Sequence, residues 1–316
     1  MNPRPQHLFG LLIVLATASI LILTAKIEFK TSNPRTSITS APIASSSTST
    51  SNTSAFVTYL AHEGEAGPEN GYFQSVRLLI RSIKQQFPPS TKPTSFLPPP
   101  IIVLVISETG PKTRQILKSE GALVQQVNYK SLTPPYAMGR LGRYVHMFGK
   151  LILWNMTEYS QLIFIDGDVI VQGDLKKLLT ARPPNADIAA VNDFGEVYQM
   201  RFNGGFFIVK PSISRFEDMI SLLDYPIELR GMAEQEWLNW YWGRSFYELD
   251  SIYNMQLLFC SEEIVFYPEM DWDDAILVHF KGWEREKSCI TKYQLELGTH
   301  FGMLYDRKLV EVGLKS

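Results

Sequence analysis

From residue 55 onward, short apolar runs alternate with stretches whose apolar residues recur at helical intervals. Residues 56–60 (FVTYL) predict a first strand. Over 71–86 the apolar positions Phe73, Val76, Leu79, Ile80 and Ile83 are spaced for one face of a helix. The unbroken run at 101–106 (IIVLVI) predicts a strand buried on both faces, residues 112–120 a short helix ended by Gly121, and residues 122–127 the next strand. This β-α-β-α-β succession predicts an α/β domain with a mostly parallel, Rossmann-like central sheet and right-handed crossovers. A segment of helical character over 139–159, a short helix from Asp174, a strand at 188–191, an apolar strand after the glycine pair of Phe202-Asn203-Gly204-Gly205, an amphipathic helix over 212–224, an aromatic-dense helix around 234–242 and a strand at 276–280 complete the pattern.

The strand QLIFI at 161–165 organises the rest, because it stops at Asp166-Gly167-Asp168. In open α/β sheets ligands bind beyond the carboxyl ends of the strands. Side chains two apart point the same way from an extended backbone, and Gly167 is expected to leave room between the carboxylates for another group to approach. Like charges that close repel unless a positive group lies between them; a hard divalent cation that also bridges phosphate oxygens meets that need. A solvated turn is the plain alternative for such a triplet. The chemical alternative is a phosphohydrolase with Asp166 as covalent nucleophile and Asp273-Asp274 as a later acidic pair, although those enzymes carry the motif on their first strand. Gly204-Gly205 permits a close backbone approach to a ligand or marks a bulge. Arg140, Arg143 and Lys150 cluster ahead of the strand, where a solvated face is the commoner fate of such residues.

Composition narrows the partners. The 316 residues are 45% hydrophobic and 20% charged, enough for one catalytic domain of ordinary globular type over 55–316. A net charge of -2 gives no basic face for nucleic acid, and five His with two Cys assemble no thiolate zinc cluster. No G-x-G-x-x-G follows the first strand, which disfavours a dinucleotide redox cofactor. Residues 8–25 (LFGLLIVLATASILILTA) are uncharged and near the shortest length that crosses a bilayer. A cleaved secretory signal is the alternative, but the run exceeds the usual apolar region of a signal and has no clear A-x-A site. An uncleaved transmembrane anchor is therefore expected, with 1–7 as a cytoplasmic tail, 26–54 as a disordered Ser/Thr-rich stem and the catalytic domain lumenal. That is a single-pass type II protein of the Golgi or another secretory-pathway membrane. Asn52 and Asn155 head glycosylation sequons. Cys260 and Cys289 are expected to stay unpaired, since nothing in the sequence brings them within bridging distance.

Five motifs stand in one order: D-G-D at 166–168, F-N-G-G-F-F-I-V-K-P at 202–211, E-Q-x-x-L-N at 234–239, Tyr253-Asn254, and H-F-K-G at 279–282. Over residues 55–283 the chain resembles glycosyltransferase family 8, with its glycogenin-like and galactosyltransferase-like members. The resemblance implies the GT-A fold (a Rossmann-like nucleotide-diphospho-sugar transferase), a UDP-sugar donor, Mn2+ as cofactor, and retaining transfer of a hexosyl-type sugar to a glycan or glycoprotein acceptor. It assigns Asp166, Asp168 and His279 to the metal. Lys150, Asp166, Gly167, Asp168, Asp193, Asn203, Gly204, Gly282 and Arg285 match positions that hold the nucleotide-sugar, and Glu234 and Gln235 match the catalytic pair. Two positions depart from the family: Arg285 stands where Lys is usual, with Lys287 two further on, and Glu234 replaces an Asp.

Breaking the anomeric C–O bond leaves extra negative charge on the diphosphate, which a metal held by the three ligands would stabilise. Gln235 or Glu234 would lie beneath the anomeric carbon, with a covalent intermediate and same-face attack both open. An anchor and stem set the chain apart from glycogenin, a cytosolic self-glucosylating primer. A noncatalytic sugar-binding protein is the remaining alternative; like the phosphohydrolase, it leaves His279-x-x-Gly282 and Asn203-Gly204-Gly205 without a role.

Overall fold

The computed structural model describes residues 53–88, 97–193, 201–229, 233–258, 272–281 and 305–315. The expected tail, anchor and stem, together with Asn52, Cys260, Gly282, Arg285, Lys287 and Cys289, lie outside the described residues. Among those described, no helix is long and apolar enough to cross a membrane.

In chain order the elements are β1 (Ser54–Leu60), α1 (Gly71–Gln86), β2 (Ile101–Val105), α2 (Pro111–Ser119), β3 (Leu123–Gln126), β4 (Gln161–Ile165), β5 (Val169–Val171), α3 (Leu178–Ala181), β6 (Ile188–Asn192), β7 (Phe202–Val209), α4 (Ile213–Ser221), α5 (Glu234–Trp242), β8 (Tyr247–Leu249), β9 (Met255–Leu258) and β10 (Leu277–Lys281). Seven strands form one sheet in the order β3-β2-β1-β4-β7-β6-β8. Six run parallel and β7 opposes its neighbours β4 and β6. A second sheet, β5-β10-β9, continues from the D-G-D turn.

Alternation along the strands sends side chains to two cores, one on each face. Val57, Tyr59, Leu162, Phe164, Phe207 and Val209 point to the face covered by α4, α5 and the segment 142–155. Phe56, Leu60, Ile163, Ile165, Phe206 and Ile208 point to the face covered by α1. All five apolar positions that predict α1 are buried, and its first turn is capped by Asn70, whose side chain accepts from Phe73 N at 2.9 Å.

The segment of helical character is a run of 3-10 turns over Gly142–Asn155. At three residues per turn, side chains three apart eclipse one another, and Phe148, Leu151 and Trp154 all have no exposed surface. The glycine pair lies inside β7 and does not precede it. The side-chain face of Gly167 is filled by α1: a Cβ there would stand 2.5 Å from Val76 Cγ2 and 2.9 Å from Tyr72 Cζ. Its missing side chain lets the strand end press onto that helix, and Gly167 N donates to Tyr72 OH at 3.2 Å.

Candidate active site

β4 delivers Asp166 to the edge of the core, where its N–H donates to Gly205 O of β7 at 2.8 Å. Two residues on, Asp168 leads into β5, which pairs antiparallel with β10 so that His279 stands opposite Val169. That register brings His279 Nε2 to 3.3 Å from Asp168 Oδ1. One ligand atom from each of Asp166, Asp168 and His279 can be chosen such that all three lie within 4.8 Å of one another.

The trio fits a divalent cation. Two carboxylates and an imidazole form a hard, mixed oxygen–nitrogen donor set of the kind Mn2+ accepts. Asp166 Oδ1 is buried and makes no directed hydrogen bond. Burial works against the charge of Asp168, but the His279 imidazole and then Lys150 outweigh it and hold the carboxyl below its ordinary range. His279 is set by packing: its Nδ1 makes no hydrogen bond, and a Cβ at Gly205 would lie 2.2 Å from its Cε1. Gly205→Ala is therefore expected to push the ring aside and weaken Mn2+ binding about 10- to 100-fold. Titration calorimetry checks this, with an unchanged circular dichroism spectrum showing that the sheet survives.

Lys150 stands behind this trio, only 2% exposed. Its Nζ lies 3.1 Å from Asp166 Oδ1 and 2.7 Å from Glu234 Oε1, and it donates to Gly204 O at 3.0 Å. Burial disfavours its charge, but Asp166 and Glu234 more than offset that, and its pKa sits above the ordinary lysine value. Glu234 is pushed above the usual carboxylate range because its burial outweighs the attraction of Lys150. Of the basic residues clustered ahead of the strand, Lys150 is thus a buried cation. Arg140 is exposed.

The other flank is a network of amides. Gln235, half-buried on the first turn of α5, accepts from Gly204 N at 2.7 Å and from Asn203 Nδ2 at 3.2 Å, and donates to Asp193 Oδ2 at 2.7 Å. Asn239 ties the same helix to β7 by accepting from Phe202 N and donating to Phe202 O, both at 2.8 Å. The structure therefore brings Lys150, Asp166, Asp168, Asp193, Asn203, Gly204, Glu234, Gln235 and His279 into one neighbourhood. Asn203 differs from the sugar contact expected of it: it is 0% exposed and serves as the hub of this network. Tyr72, Asn239 and Asn254 escaped sequence reasoning as site residues; Asn239 and Asn254 carried a signal, as the last residue of E-Q-x-x-L-N and as half of the Tyr-Asn motif, and Tyr72 carried none. The sequon residue Asn155 is half-buried at the end of the 3-10 run, and Asp273-Asp274 lie exposed on a turn before β10.

Residues 140–287 match the family model described as glycosyl transferase family 8. Galactinol synthase 2 of Solanum lycopersicum is 24% identical over 259 residues, which cover 72% of this chain and 70% of the relative. Galactinol synthase 1 of Arabidopsis thaliana is 24% identical over 239 residues, 64% of this chain and 63% of the relative. The chain thus spans about two thirds of the length of these curated relatives. Among solved structures, the galactosyltransferase LgtC with donor and acceptor sugar analogues superposes with a TM-score of 0.51 at 14% identity, covering 74% of this chain and 90% of that one. The bifunctional glycosyltransferase WbbM gives 0.52 at 15% identity, over 73% of this chain and 46% of that one. At these identities the likeness bears on fold, and the fold is the expected GT-A-like one.

Proposed function

We propose, from the match of residues 140–287 to the model of glycosyl transferase family 8, that the chain is a member of that family and moves a hexosyl-type sugar from a UDP-sugar to a glycan or glycoprotein acceptor, with retention at the anomeric carbon. One observation carries the proposal: two carboxylates and an imidazole converge within 4.8 Å at a strand end, with Lys150 and Gln235 on their flanks. Asp166, Asp168 and His279 would hold Mn2+, whose chemistry when bound is Lewis-acid stabilisation of the leaving diphosphate.

The remaining work falls to the chain's own residues. Lys150 fixes Asp166 and the Gly204 carbonyl in place and adds positive charge behind the ligands. Glu234 is taken up as its counter-ion, so of the two candidates beneath the anomeric carbon, Gln235 is the one that faces a ligand. Asp193 and Gly204, which contact it directly, frame the sugar. Gly282 and Arg285 are assigned to the diphosphate on the strength of their motif alone. The phosphohydrolase alternative has no comparable support among the relatives.

We place the catalytic domain in the lumen of the Golgi or a related compartment, anchored by residues 8–25. The protein is then expected to remain in the pellet after carbonate washing; a soluble major species lacking residues 1–25 would show a cleaved signal instead. Activity is tested with a panel of UDP-sugars, UDP-galactose first because the named relatives are galactinol synthases. Release of UDP from at least one donor, lost with EDTA and regained with Mn2+, is the expected result. A folded protein that releases no UDP from any donor, with glycan acceptors present, would refute the assignment.

A further inference from the structure

The core uses only part of the aromatic helix α5. Trp237, Leu238 and Trp242 are buried, whereas Trp240 is 39% exposed and Tyr241 half-buried on its outer side. Tyr225, just past the end of α4, is 57% exposed and stacks on Trp240, with ring centroids 5.3 Å apart and planes 15° from parallel. A single apolar side chain in water is ordinary; two large rings stacked at the mouth of a cavity are not. Both line a cavity of about 510 Å³ between α4 and α5, whose walls also carry Arg215, Asp218, Tyr241 and Trp242. Small-molecule sites occupy roughly 300–1,000 Å³. Arg215 and Asp218 lie three apart on one face of α4, and both are held in place. Arg215 donates to Asp187 Oδ2 at 2.9 Å, and its guanidinium lies 5.1 Å from the centre of the Trp242 ring. Asp218 Oδ2 accepts from Tyr241 OH at 2.5 Å, and among the described residues its Oδ1 accepts nothing.

We propose that this cavity is a carbohydrate-binding site, separate from the catalytic centre, that takes a pyranose ring of a neutral glycan. A pyranose presents a face of apolar C–H groups to a flat aromatic ring, while its hydroxyls project from the edge and need donors and acceptors. Trp240 and Tyr225 supply the ring faces and Asp218 Oδ1 an acceptor. Arg215 supplies a donor, since it has more N–H groups than its bonds to Asp187 and Tyr241 use. Two carboxylates, Asp187 and Asp218, stand against the one guanidinium, a balance that repels acidic sugars and anionic lipid headgroups. A purely apolar partner would bury the Asp218 carboxylate with no donor for Oδ1. Gln235 and Trp240 are five residues apart on α5, about 140° around its axis, so the body of a helix roughly 10–12 Å across separates the two sites. Holding one part of a glycan on Trp240 raises the effective concentration of the rest at the catalytic centre. That consequence rests on the transferase function proposed above; the binding itself does not.

The test is calorimetric titration of the full-length protein, without donor or metal, with cellotetraose, xylotetraose, mannotetraose and galactotetraose. Saturable binding of at least one is expected. Trp240→Ala and Tyr225→Ala should each weaken it about tenfold or more, and Trp240→Phe should recover part of it by returning a flat ring. Both truncated rings are exposed, so the melting temperatures and the UDP release measured without acceptor should stay close to those of wild type. A wild type that binds none of the four, or alanine variants that bind as tightly as wild type, overturns the inference, while UDP release by wild type leaves the transferase reading standing. A bilayer is the rival occupant. In vesicles of brominated phosphatidylcholine, the tryptophan emission lost to quenching is expected to be no smaller in Trp240→Ala than in wild type; a smaller loss would assign the rings to lipid and overturn the sugar site. A protein that binds an oligosaccharide through Trp240 but releases no UDP from any donor would keep this site and refute the transferase function.

Discussion

In a His279→Ala variant, Mn2+ affinity is expected to fall by about two orders of magnitude and sugar transfer to fall with it, while the domain stays folded. The ring is one of three donors, and β10 keeps its backbone pairing to β5 and β9 without it. What remains is a pair of carboxylates without the imidazole that balances Asp168. Asp168→Asn is the companion: it preserves shape and removes one of the charges opposing the cation, so excess Mn2+ should recover part of the activity. Thermal melts separate ligand loss from damage. A cation that binds only the native state raises Tm with concentration, so wild type should gain stability with Mn2+ while His279→Ala gains little. Undiminished turnover and an unchanged Mn2+ response in His279→Ala would remove the metal assignment.

The second large effect belongs to Lys150→Met. The substitution retains an apolar stem beside the Phe164 ring, over which the ammonium now sits at 4.7 Å, but deletes the charge between Asp166 and Glu234. Breaking a buried ion pair by removing one partner typically costs about 3–5 kcal/mol, because a charge is left uncompensated. Here two carboxylates lose it together. Urea denaturation without metal should show the full loss. Added Mn2+ should restore more stability to the variant than it confers on wild type, since it supplies charge to Asp166 that Lys150 no longer provides. Equal stabilisation of both proteins would mean that the two cations act independently.

Most of the strand and helix pattern was legible from spacing. The five positions predicting α1 are all buried, and the run at 161–165 is fully buried as β4. Strand direction was not legible: an apolar run marks burial on both faces whichever way it points, so nothing in FFIV announced that β7 opposes its neighbours. The stripe at 148, 151 and 154 was visible, but an interval of three also occurs within helical spacing. In the site, the two aspartates stood out because a strand end and a one-residue gap are local features. His279 was reached through motif order, since a lone histidine on an apolar strand has no local mark of ligation. The amide network was hidden for a different reason. Asn203 and Asn254 meet across 51 residues of chain, and Tyr72 and Gly167 across 95; only the folded topology brings such partners together.

The small sheet also orders events during synthesis. Its first strand follows the D-G-D turn directly, yet His279 emerges from the ribosome about 110 residues later, an interval of about 5–20 s at usual elongation rates. Throughout that interval the acidic strand end exists without its imidazole ligand. Lys150 lies sixteen residues upstream of Asp166 and has already been made. A cation that needs all three ligands could therefore be held in full only after the chain has passed β10, a late step in synthesis.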